Sequence, residues 1–168
     1  MNQSVADIVE RYALQPHPEG GYFREVYRSP QIVEHPAIPA ELGNRRACGS
    51  LIYFLLGRGD FSAFHRVRWT DEIWHLYAGG PIELHLIDEA GRYSEQRVHS
   101  DLTLGAPTAV VPGGCWQAAR LAPESEWAFG GCTVAPGFEF ADFEMPSRDA
   151  LLHEFPRHAD IIRTLTRA

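Results

Sequence analysis

The sequence predicts an all-β domain, a sandwich or a closed barrel, with short helices at its two ends. Three observations carry this. From Cys48 onward the chain breaks into many short runs rich in β-branched and aromatic residues. Gly, Pro and Asp stand at most of the breaks, where tight turns need them. Helical periodicity shows only before about Tyr12 and after Ser147.

Taken in order, Ser4 to about Tyr12 reads as a helix. Ser4 can cap it, Asp7 follows three residues later, and Val5, Ile8, Val9 and Tyr12 share one face. The prolines and glycines of Gln15 to Gly21 end it. Tyr22 to Arg28 alternates and reads as a strand, and the polar, proline-bearing stretch from Pro30 to Asn44 reads as a surface loop. Further strands are expected over Gly49 to Gly57, Phe61 to Val67, Glu72 to Tyr77 and Ile82 to Ile87. Asp88 to Gly91 is a turn, and Arg92 to Val98 returns as a hairpin partner. Thr108 to Val111, Cys115 to Leu121 and Trp127 to Ala135 complete the series. In the tail, Ser147 caps Arg148 to Phe155, Pro156 interrupts, and Ala159 to Leu165 resumes the helix. With 168 residues, no internal repeat and no linker, one domain is expected: a β core over about residues 20–145 and a helical tail over about 147–166.

Composition narrows the function classes. The chain carries 15 basic against 22 acidic residues, a formal net charge of -7, with no basic stripe, so nucleic acid is not an expected partner. The longest strongly apolar run, Leu51 to Leu56, is too short to cross a bilayer, and the first residues show no secretory pattern. Three cysteines without CxxC spacing (Cys48, Cys115, Cys132) point to a reducing, cytoplasmic setting and to buried thiols rather than a disulfide framework. No GxSxG, P-loop, GxGxxG or HExxH pattern is present.

The stretch from Gly59 to Gly79 carries the chemistry. Residues two apart on a strand share a face, so His65 looks the same way as Val67, and Glu72 the same way as Trp74 and Leu76. If His65 and Glu72 face inward, one cavity receives an imidazole and a carboxylate. A third polar group is best sought in Val110 to Arg120, where Gln117 follows a Pro-Gly-Gly turn. A carboxylate on an apolar strand needs a partner, and His65, Arg24 or a ligand are the candidates for Glu72. Arg24 and Tyr22 are candidate ligand contacts, and Trp74 and Trp116 are either core or the walls of a pocket. His75 is expected on the opposite face from Glu72 unless a bulge intervenes, and His85 on a solvated face. His17, His35, His99, His153 and His158 show no pattern.

Gly59, His65, Glu72 and Gly79 resemble the first motif of the cupin superfamily, and Pro112, Gly114 and Gln117 fall at the places of the second. The chain resembles more closely the DUF985 (cupin_5) group of RmlC-like cupins. The segments that carry this are His17 to Glu25, Phe64-His-Arg, Asp71 to His75, Val111 to Gln117 and Gly131 to Phe138. The resemblance implies a double-stranded β-helix, or jelly roll, and a homodimer. It implies a small polar ligand, sugar-like or a carboxylate, held in the barrel. The superfamily includes metal-free sugar-nucleotide epimerases and isomerases. By that comparison His65 is a base, Glu72 its partner, and Tyr22, Tyr53 or Tyr77 the opposing acid. The same superfamily includes metal sites, which points to His65, Glu72 and Gln117 as ligands of a divalent metal. Val67 and Gln117 stand where such sites have two of their histidines, which argues for weak metal binding. A non-catalytic binding module is the further alternative.

Overall fold

The computed structural model describes residues 4–40 and 43–167. Helix α1 (Val5–Tyr12) starts at a capping box in which the Ser4 side chain accepts from the Asp7 amide and the Asp7 carboxylate reaches back to the Ser4 amide. The strands are β1 (Gln15–Pro16), β2 (Tyr22–Arg28), β3 (Ile32–Glu34), β4 (Arg45–Ala47), β5 (Ser50–Gly57), β6 (Phe61–Val67) and β7 (Asp71–Gly79), followed by β8 (Ile82–Ile87), β9 (Tyr93–Val98), β10 (Thr108–Val111), β11 (Trp116–Leu121), β12 (Trp127–Ala135) and β13 (Phe143–Glu144). Helices α2 (Arg148–Glu154) and α3 (Ala159–Thr164) close the chain. A six-stranded sheet, β1-β2-β5-β12-β7-β10, faces a five-stranded one, β13-β6-β11-β8-β9. The strand pairs are antiparallel, and successive strands alternate between the two sheets from β5 to β8 and again from β9 to β13, with β8 and β9 a hairpin in one sheet, which makes a jelly roll. No helix of the described residues is long and apolar enough to cross a membrane.

Strand alternation builds three apolar layers. Phe54, Leu56, Trp74, Leu76, Leu84 and Leu86 point between the sheets and form the central core. On the outer side of the six-stranded sheet, Leu55 and Phe129 meet Ile8 of α1. On the outer side of the five-stranded sheet, Phe64, Ile87 and Trp116 meet Leu151, Phe155 and Ile162 of the tail helices. Each fully buried side chain of this size contributes about 1.5–3 kcal/mol. The terminal helices therefore cover apolar sheet faces that water would otherwise reach.

Three local expectations change. The segment from Pro30 to Asn44 is not loop throughout: β3 pairs with β4, and the β-branched pair Ile32 and Val33 supplies the extended backbone. Cys48 is exposed, while Cys115 and Cys132 are buried. His85 is fully buried rather than solvated, because Tyr93 on the neighbouring strand lies over it and its hydroxyl sits 2.7 Å from His85 Nδ1.

Candidate functional site

Two irregularities in otherwise regular strands aim the polar side chains inward. Where β6 pairs with β11, Gln117 faces His65 but Ala119 faces Ser62, so β6 holds one extra residue. This bulge turns Ser62 and His65, three apart, to the same side, and it exposes the Ala63 carbonyl to the His65 ring. The second device is the turn before β2. Gly20 and Gly21 adopt φ of 115° and 69°, and a Cβ on Gly21 would lie 2.7 Å from the Leu55 carbonyl oxygen. The turn is seated on β6 by a 2.8 Å hydrogen bond from the Ala63 amide to the Glu19 carbonyl. It delivers His17 and Glu19 over the bulge.

The Glu19 carboxyl is the junction. Its Oε1 accepts from the Ser62 hydroxyl at 2.9 Å, and its Oε2 lies 3.2 Å from His65 Nε2 and 3.3 Å from His17 Nδ1. The tautomer of His65 follows from its other nitrogen. Nδ1 is 2.8 Å from the Ala63 carbonyl, which can only accept, so Nδ1 carries the hydrogen and Nε2 presents a lone pair to Glu19. One proton must then sit between Nε2 and Oε2. Burial penalises charge on both groups, raising Glu19 to about 8 and lowering His65, so the pair is a carboxylic acid donating to a neutral imidazole. Burial, with the nearby His65, also lowers His17 to about 4.

Glu72, on β7, sits in a different setting. The Gln117 amide nitrogen donates to its Oε2, and the Cys132 thiol lines the same cavity. The orientation of Gln117 is fixed from behind: the Trp74 indole N–H donates to Gln117 Oε1 at 2.8 Å, so the amide nitrogen must face Glu72. Burial raises the Glu72 pKa, and the Gln117 donor opposes it. Two buried carboxyl groups thus share one cavity with different partners.

That cavity has a volume of about 100 Å³. His17, Glu19, Ser50, His65, Glu72 and Cys132 supply its polar lining, and Phe23, Ile52, Val67, Val134, Phe138 and Phe143 its apolar walls. Glu25, Arg28 and Glu139 rim it, with Phe140 beside them. A bulge in β2 between Glu25 and Tyr27 puts Arg28 on the same side as Glu25. The Arg28 guanidinium bonds Glu25 at 2.7 Å, Glu139 at 2.9 Å and the Phe138 carbonyl at 3.0 Å.

Of the residues singled out from sequence, His65 and Glu72 line this cavity and Gln117 binds Glu72. Trp74 stands behind Gln117. Arg24, Tyr22 and Trp116 lie elsewhere. Phe23 and Glu25 occupy the inward positions of β2, so its even-numbered neighbours turn away: Arg24 donates to the Tyr12 carbonyl at 2.9 Å, and Tyr22 packs with α1. Trp116 is one step out of phase with Gln117, so it belongs to the layer beneath the tail helices, with Arg66 4.2 Å over its ring. Tyr53 and Tyr77 group with Phe129 on the outer face of the six-stranded sheet. His75 also points outward, to Thr133 Oγ1 at 2.9 Å. Sequence reasoning missed His17, Glu19 and Arg28. The signal was the polar His17-Pro-Glu19 run ahead of two glycines, which places side chains over a tight turn.

The donor set does not fit a metal of the kind the superfamily holds. Val67 offers no ligand, and the Gln117 oxygen is taken by Trp74. Among the described residues no three His, Cys, Asp or Glu side chains are arranged to hold an ion: where His17, Glu19 and His65 meet, the ring nitrogens turn to the carboxyl oxygen and not to a shared open point.

Comparison with known proteins places the chain. The family model described as Cupin superfamily (DUF985) matches residues 6–146. The chain is 31% identical over 161 residues to the uncharacterised protein YML079W of Saccharomyces cerevisiae, covering 89% of this chain and 79% of that one. It superposes on the crystal structure of protein SO0799 from Shewanella oneidensis with a TM-score of 0.87 and 34% identity over 99% of both chains. It superposes on a hypothetical protein from Leishmania major with a TM-score of 0.88 and 31% identity, over 99% of this chain and 100% of that one. With the family model spanning most of the chain and these two folds superposing over nearly all of it, the protein belongs to the cupin superfamily, in its DUF985 family.

Proposed function

We propose that this cupin performs metal-independent proton transfer on a small carbonyl-bearing ligand held in the cavity, chemistry of the isomerase or epimerase kind. One observation supports it above the others: a buried acid–imidazole pair, Glu19 with His65, shares a cavity with a second buried carboxyl, Glu72, whose partners differ. Groups held in environments that favour different protonation states divide the acid and base roles between them. Burial raises both carboxyls, but Glu72 receives the Gln117 N–H donor, which favours its carboxylate form, so of the two it is the base. Glu19 holds its proton toward neutrality and is the acid; the proton it gives up is the one it shares with His65 Nε2, which the bound ligand's oxygen takes over. In the proposed step Glu72 removes a proton from the carbon next to the carbonyl, while Glu19 donates to the carbonyl oxygen. Return of a proton to the other face or to the neighbouring carbon yields the epimer or isomer. The tyrosines have no part in it, because they sit outside the cavity.

The cavity size bounds the ligand. A dry cavity of roughly 150 Å³ holds a benzene-sized molecule, so about 100 Å³ admits only a few heavy atoms and a larger ligand must project past Arg28.

The test has two stages. A thermal-shift panel of small sugars and oxo-compounds finds a ligand, and that ligand is then incubated with the protein in heavy water. Deuterium is expected at the carbon next to the carbonyl, with Glu72→Gln slowing exchange by about 10²–10⁴-fold while the ligand still binds. Binding without any exchange in the wild type would reject catalysis and leave a binding module.

A further inference from the structure

The rim and floor of the cavity also select by charge. Arg28 is the one Lys or Arg among the described lining residues, and it is already committed. It holds Glu25 through Nε and Nη2 and Glu139 through Nη1, and Nη2 also donates to the Phe138 carbonyl. Two carboxylates against one guanidinium leave the rim one unit negative. Deeper in, both imidazoles are already engaged: the His65 Nε2 lone pair faces the Glu19 acid, and His17 Nδ1 lies against the same oxygen. Below them stand Glu19 and Glu72, two more carboxyls and no cation. An anionic group entering here loses its hydration, passes a negative rim and meets no free positive charge.

An uncharged ligand meets the opposite situation. A carbonyl or hydroxyl oxygen competes with His65 Nε2 for the Glu19 acid proton, and a hydroxyl or amide hydrogen finds the Glu72 carboxyl. Phe23, Phe138 and Phe143 cover its apolar part. A cation would be drawn to the rim, but at the floor it would have to displace the donor that Gln117 already directs at Glu72.

We infer that the cavity is selective for uncharged carbonyl or hydroxyl compounds and turns away carboxylates and phosphates, with the Glu25–Arg28–Glu139 rim as the determinant of that selectivity. This rests on the reading of the cavity as a ligand site. It removes oxo-acids and phosphorylated sugars from the substrate class and leaves neutral sugars and small ketones or aldehydes.

Three probes of one shape and size test it: acetate, acetamide and acetamidinium, titrated into the isotope-labelled protein. The reporters are the Trp74 indole N–H, which abuts Gln117, and the His65 ring nitrogens. Acetamide is expected to bind about tenfold more tightly than acetate at low salt, with the gap narrowing as salt screens the half-exposed rim. Acetamide is also expected to bind more tightly than acetamidinium. The E25Q/E139Q variant, which frees Arg28, is expected to gain acetate affinity by a similar factor. Acetate or acetamidinium binding as well as acetamide overturns the inference and leaves the ligand site standing. Failure of all three to shift the reporters removes the ligand site itself, and the inference with it. An E25Q/E139Q variant whose acetate affinity does not rise removes the role of the rim.

Discussion

At the scale of single residues, the account turns on where protons sit. Glu19 is raised from an ordinary 4.5 to about 8, and His17 is lowered from 6.5 to about 4. The two act oppositely on stability. Between about pH 4 and 6.5 the unfolded chain carries a proton on His17 that the folded one lacks, so His17 makes the fold more stable as pH rises. Above 4.5 the folded chain keeps a proton on Glu19 that the unfolded one has lost, so Glu19 makes the fold less stable as pH rises. Above about pH 6.5 the His17 contribution is complete, and up to about pH 8 Glu19 acts with Glu72, which burial shifts in the same direction. The melting temperature is therefore expected to fall across that window and to fall less in Glu19→Gln, as calorimetry at a series of pH values would show. A second expectation concerns the indole behind Gln117. Trp74→Phe leaves the buried Gln117 oxygen without its donor and costs about 1–3 kcal/mol in urea denaturation.

At the scale of elements, small departures from regularity place the site. The β6 bulge puts Ser62 and His65 on one side, the β2 bulge does the same for Glu25 and Arg28, and the Gly20-Gly21 turn brings Glu19 over both. Gly21→Ala forces a side chain toward the Leu55 carbonyl at a left-handed φ. It is expected to lower the melting temperature and to disturb the His65 ring resonances together. The segment carrying Phe138 to Phe143 is anchored by a buried pair in which Arg46 Nε and Nη2 each lie 2.7 Å from Asp142. Asp142→Ala leaves that guanidinium buried without its partner and is expected to cost about 3–5 kcal/mol, whereas an R46M/D142L pair regains most of it. These features explain what the sequence reveals and what it hides. Alternating hydrophobicity marks nearly all the long strands, and it sets His65 and Glu72 on inward positions. A bulge leaves no mark in that pattern, so Arg28 stays hidden. A one-residue error in the parity of β2 is enough to promote Tyr22 and Arg24 over Phe23 and Glu25. Glu19 is hidden for another reason: it lies in a turn, and only the fold shows that the turn sits on β6.

At the scale of the whole molecule, the jelly roll buries a polar cluster that an ordinary core would not hold. The helices at both ends contribute by sealing the outer faces of the sheets, which leaves the inner space between them for Glu19, His65 and Glu72. The two imidazoles within that space, His17 and His65, are both turned to Glu19, and the Gln117 oxygen is taken by Trp74, which leaves no open set of donors for a divalent metal. Manganese, zinc or ferrous iron is accordingly expected to leave the melting temperature unchanged, and a chelator to leave ligand binding unchanged. A clear upward shift with any one metal in differential scanning fluorimetry would show that the site rearranges to bind it.

The proton between Glu19 and His65 is the centre of the account, and nitrogen-15 NMR of histidine-labelled protein observes it directly. The prediction is a His65 ring that is neutral at pH 7, with its hydrogen on Nδ1 and with Nε2 accepting, and whose Nε2 signal moves as Glu19 loses its proton near pH 8. A His65 with its hydrogen on Nε2, or one that titrates with an ordinary solvent-exposed midpoint indifferent to Glu19→Gln, would contradict it.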